Sequence, residues 1–134
     1  MSEAMNRLIE YAYQDDELAL EFFEKRMVML RESVEERLFH IKCREEASAR
    51  ALETMERQQD DKAARLRMLP YHASERTFLM SSIDSLEREK RAEGIRRIRD
   101  VAQWSREARE KLEEYQSVAQ ISFVMKSRER GFRE

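Results

Sequence analysis

One proline stands among 134 residues, in the stretch Met68-Leu69-Pro70-Tyr71-His72-Ala73-Ser74 near the midpoint of the chain. Proline has no amide proton, and its ring collides with the preceding helical turn. It also moves the residue before it, Leu69, away from helical dihedrals. Stretches of similar length with apolar residues at helical spacing lie on both sides. The stretch therefore predicts a turn that folds one long helix back on another. Ser74 is suited to cap the returning helix, with Glu75 next to its positive end.

The rest of the composition agrees. Two glycines and one proline leave too few turn formers for a strand-rich fold. Charged residues make up 40% of the chain, against about 25% in an average domain. Such charge is also found in disordered chains, but the net charge is only −2 and apolar residues recur throughout. The expected fold is all-α: a long antiparallel helical hairpin with coiled-coil packing, with room for a short additional N-terminal helix. It forms a single helical domain over residues 1–134, with arm one at about 5–69, the turn at about 70–73 and arm two at about 74–130.

In arm one, Met5, Leu8, Ile9, Ala12 and Tyr13 make a short amphipathic stretch. Asp15 or Asp16 either caps a new helix after it or lies on the solvated face of one continuous helix. From Leu20 the spacing becomes heptad: Leu20, Phe23, Met27, Leu30 and Val34. Leu38 and Ile41 then follow at four and three, so that two successive fours predict a stutter at Leu38. After a polar gap the line resumes through Leu52, Met55, Gln59, Lys62, Leu66 and Leu69. In arm two, Leu79, Ile83 and Leu86 begin a line that fades across 87–94. It restarts as Ile98, Val101, Ser105, Ala108, Leu112, Tyr115 and Ala119. A fold at residue 70 makes the numbers of facing residues sum to about 140. The polar stretch 87–94 then faces 46–53, and Gly94 offers either a close helix approach or a bend.

The same register brings two broadly apolar regions together at the open end of the hairpin. Leu18, Phe22, Val28, Met29 and Phe39 lie off the heptad line, and Ile121, Phe123, Val124 and Met125 crowd the end of arm two. A two-helix seam cannot bury them all. Either the N-terminal segment folds back as a third helix, or these nine residues form a surface for a protein partner or a second copy. Methionines such as Met27, Met29 and Met125 suit an adaptable contact surface.

Signals for chemistry are weak. His40 and Cys43 share a helix face, but two ligands do not make a metal site, and no cofactor is implied. A nucleophilic cysteine needs a base and an oxyanion site, and no glycine-rich phosphate loop occurs, so no catalytic residue is assigned and enzyme activity is not expected. The run Arg88, Lys90, Arg91, Arg96, Arg97 and Arg99 could meet nucleic acid. No aromatic interleaves with it, however, and pairing with the acid-rich residues 1–36 accounts for it equally well. One cysteine and no apolar run of about 20 residues lead to the expectation of a reducing, cytoplasmic setting without a membrane span. The expected function is a non-enzymatic structural or adaptor protein docking into a larger assembly, with the cytoskeleton as one setting. A secretion-apparatus stalk or chaperone-like hairpin is the alternative, and nucleic-acid binding comes after both.

Overall fold

A computed structural model of the protein describes residues 3–12 and 16–133, with side chains placed for 3–7 and 17–128. Three helices follow one another: α1 (Glu3–Ala12), α2 (Asp16–Met68) and α3 (Glu75–Arg133). α2 and α3 pack against each other as an all-α helical hairpin, and no strand occurs among the described residues. The described part of arm one falls in two helices, α1 ending at Ala12 and α2 beginning at Asp16. Tyr13, Gln14 and Asp15, where the cap is expected, lie outside the described residues.

The break at Pro70 is closed locally. The Ala73 amide donates to the Pro70 carbonyl at 3.0 Å, and the Arg76 amide donates to Ala73 at 3.1 Å. Arg76 then does what the sequence reading does not assign to it. Its guanidinium reaches back to the Leu66 carbonyl at 3.1 Å and the Leu69 carbonyl at 3.4 Å, while lying 5.9 Å from the centre of the Tyr71 ring. Terminal helix carbonyls lack intrahelical partners, and a cation placed there also complements the negative end of α2.

Facing residues keep close to the expected register: Arg26 meets Glu114 at 2.8 Å and Arg65 meets Glu75 at 2.7 Å, each pair summing to 140. The interior line itself differs from the apolar count. Leu38 is exposed, and Arg37, three residues after Val34, turns inward and donates to Glu107 at 2.6 Å. The stutter expected at Leu38 is therefore absent. Two successive fours occur instead at Arg44, Ser48 and Leu52, which are partly or fully buried. In arm two, Ile98 and Leu112 are exposed, while Arg97 turns inward and Val118 has no exposed surface. The cause is common to both arms. Long polar side chains occupy seam positions and bury their aliphatic stems; Arg37 carries its charge to Glu107, whereas the Arg97 Nε is buried without a hydrogen-bond partner.

The chain divides into two compact units, residues 1–39 with 104–134, and residues 40–103. In the first, Met5, Ala19, Phe23, Leu30 and Val118 form the core, with Met27, Tyr115, Ile121 and Met125 packed against it. Phe23 is almost fully buried, and removing a side chain of that size from water stabilises the fold by about 1.5–3 kcal/mol. In the second, Leu79 and Leu86 are buried, as are the polar Ser48 and Glu93. A Cβ built on Gly94 would find nothing within 4 Å, so close helix approach is not what this glycine serves.

Candidate protein-interaction surface

In the first unit the interior positions of α2 run through residues 20, 23, 27, 30, 34 and 37, all partly or fully buried. A second repeat with the same 3-4 spacing runs through 18, 22, 25, 29, 32, 36 and 39, roughly opposite to it on the helix, and every member is exposed. Four of these seven are large and apolar: Leu18, Phe22, Met29 and Phe39. Lys25, Glu32 and Glu36 fill the remaining places. Phe22 is connected to the interior, since its ring meets the buried Phe23 ring edge-on at 6.3 Å and 83°.

A groove of about 420 Å³ lies on a different face of the same unit. Met27, Val28, Tyr115, Ala119 and Phe123 give it an apolar lining, and Glu24 and Lys126 join across it at 3.0 Å. Arg31 also lines it and pairs with Glu35 at 3.3 Å.

Of the nine residues expected to meet a partner, seven are exposed. Leu18, Phe22, Val28, Met29, Phe39, Phe123 and Val124 show between 43% and 71% of their surface. Ile121 and Met125 are not among them; they pack on the core that holds Val118 and Met5. They lie three and seven residues beyond Val118, so helical rotation brings them to the same face. α1 supplies Met5 to the core as a third helix, and a separate apolar surface stays uncovered.

A further apolar group, Met68, Tyr71 and Phe78 around the turn, is also exposed and escapes a reading that looks only at the open end. Three large apolar residues close to the lone proline were its available signal.

The second unit is held by a polar seam. Arg44 donates to Glu93 at 2.6 Å and to Asp100 at 2.9 Å. Arg96 adds a contact to Glu93 at 3.1 Å, and the buried Ser48 hydroxyl lies beside Glu93 without a hydrogen bond of ordinary geometry. The Arg44 guanidinium holds the Glu93 carboxyl below the ordinary carboxylate range; Arg96 and Ser48 act in the same direction and burial opposes them. Further along, Gln59 donates to the Ile83 carbonyl at 3.2 Å and to Glu87 at 3.0 Å, and accepts from Lys90 at 3.1 Å. The Gln59 hydrogen bond, with Lys90 and Arg91 nearby, likewise lowers the Glu87 carboxyl. Lys62 donates to Ser82.

The basic run is thereby divided. Lys90 and Arg96 are drawn to Gln59, Glu87 and Glu93, rather than to the acids of residues 1–36, and Arg97 turns inward. Arg88, Arg91 and Arg99 are exposed, as is Arg96 despite its contact with Glu93. His40 is partly buried and Cys43 is exposed, and no group of three or more potential metal ligands gathers among the described residues. No described helix is long and apolar enough to cross a membrane. No family model, curated protein or solved structure matches this chain.

Proposed function

We propose that this protein is a non-enzymatic structural or adaptor hairpin that docks into a larger protein assembly through the outer face of α2, in a cytoplasmic setting such as the cytoskeleton. The observation that carries this reading is the exposed repeat of Leu18, Phe22, Met29 and Phe39 on a helix whose opposite face already packs on α3. Contiguous exposed apolar surface is costly in water and commonly marks an interface. A 3-4 repeat is the spacing that receives another helix, knobs against holes.

The test is size-exclusion of native cell extract carrying either the wild-type chain or the variant Phe22→Glu with Met29→Glu. Both positions are exposed, so the variant is expected to keep its helical circular dichroism. The wild-type chain is expected to elute within a larger assembly and the variant to be released from it. Identical elution as a free monomer for both, with no hydrophobic dye bound by the purified protein, refutes the proposal.

A further inference from the structure

The docking face on α2 is not electrically neutral. Around Leu18, Phe22, Met29 and Phe39 lie the exposed acids Glu17, Glu21, Glu32, Glu35 and Glu36, against the exposed bases Lys25 and Arg31. A helix that fits this face needs an apolar row of its own and an excess of positive charge beside it.

The chain carries such a helix. On α3, Arg88, Arg91, Ile95 and Ile98 follow a 3-4 spacing and are exposed, and the exposed Arg99 lies on the same face, four residues after Ile95. Ile95 and Ile98 show 53% and 60% of their surface, which is unusual for isoleucine on the outside of a helix whose interior positions hold Lys90, Glu93 and Arg97. Glu89 is the exposed acid among them. One face is therefore apolar and acidic, the other apolar and basic, and both have coiled-coil spacing.

We infer that the occupant of the α2 face is a second copy of this chain, presenting the Arg88–Arg99 face of its α3. This rests on the docking reading above and names the partner for it. Arginine forks match carboxylates in pairs, and burial of Phe22 and Met29 against Ile95 and Ile98 supplies the apolar component. The two faces differ, so each copy would use one face toward one neighbour and keep the other face for the next. Contacts of that heterologous kind continue into open assemblies unless the rotation closes a ring. A self-associating chain of this kind would be a structural element in its own right.

Sedimentation equilibrium of the purified full chain tests the inference. At low salt the average mass is expected to rise with concentration past that of a dimer, and high salt is expected to reverse the rise, because exposed charge pairs are screened. Arg88→Glu, Arg91→Glu and Arg99→Glu together are expected to give a helical monomer, as are Glu21→Lys, Glu32→Lys and Glu35→Lys together. Mixing the two monomeric variants restores complementary faces, and mass is expected to rise again. A mass independent of concentration at low salt overturns the inference. So does self-association that ignores both sets of charge reversals, or salt-dependent binding of duplex DNA by a chain that stays monomeric. If the purified chain is monomeric while the extract assembly still depends on Phe22 and Met29, the second copy is excluded and docking to another protein stands.

Discussion

Arg44 donates from Nη1 to the Glu93 carboxylate at 2.6 Å, joining the two arms of the hairpin at positions where a coiled coil usually places leucine or valine. Glu93 exposes only 11% of its side chain, and a carboxylate so enclosed stays charged because guanidinium groups surround it.

This arrangement makes stability depend on acid. Glu93 and Glu87 both hold their protons less tightly in the folded chain than the ordinary value of 4.5. With the folded value below the unfolded one, the unfolded chain binds more protons, so stability rises with pH across that interval. The contribution is present in full above about pH 4.5 and is lost as pH falls through the depressed folded values. Urea unfolding midpoints are expected to be level from pH 7 to about 5 and to fall below that. The Glu93→Gln variant is expected to flatten the acid limb. A midpoint that rises as pH drops below 4.5 contradicts this account.

The interior line predicts a contrast between neighbouring parts of α2. Phe23 is almost fully buried, and Phe23→Ala is expected to cost about 3–5 kcal/mol. Leu38 continues the apolar pattern of the sequence yet is 55% exposed, so Leu38→Ser is expected to change stability by no more than about 0.5 kcal/mol. Chemical unfolding of the two variants checks the register. Equal losses would return Leu38 to the seam.

Among the described side chains of α1, Met5 enters the core. Met5 is 2% exposed within the core of Ala19, Phe23, Leu30 and Val118. Met5→Ala is expected to destabilise by about 2–5 kcal/mol. It is also expected to raise hydrogen exchange in the first unit, where α1 covers that core. An unchanged unfolding midpoint would show that α1 does not pack there.

Gly94 is helical, and a methyl group at its Cβ meets no atom within 4 Å. Gly94→Ala is therefore expected to stabilise the chain by about 1 kcal/mol, through helix propensity and a less flexible unfolded state. The thermal midpoint should rise. A fall would mean that the position needs the freedom of glycine after all.

The exposure of Leu18, Phe22, Val28, Met29 and Phe39 was legible because they depart from the heptad spacing of their neighbours, and spacing is a property of sequence. Ile121 and Met125, which pack on the core, were not separable from the exposed Phe123 and Val124 because all four fall in one short apolar stretch. Which of them turns inward depends on the rotation of α3 about its axis, and that rotation is set by Val118 meeting Phe23 and Leu30 in the core. The exposed group at Met68, Tyr71 and Phe78 spans the turn at Pro70, across which helical spacing does not relate the residues on the two sides.

Sequence alone determined the hairpin. A single Pro70 between two long stretches of helical period leaves the backbone one economical way to bury its apolar stripe, and Arg26 opposite Glu114 keeps the register that this turn imposes. Only the tertiary structure decided which residues make the seam. Arg37 and Arg44 read as solvent-facing until a facing helix supplies carboxylates for their polar ends and covers their aliphatic stems. Partly buried charge is tolerated only where such partners meet it, and the partners come from the other arm or from a neighbouring turn brought into place by packing.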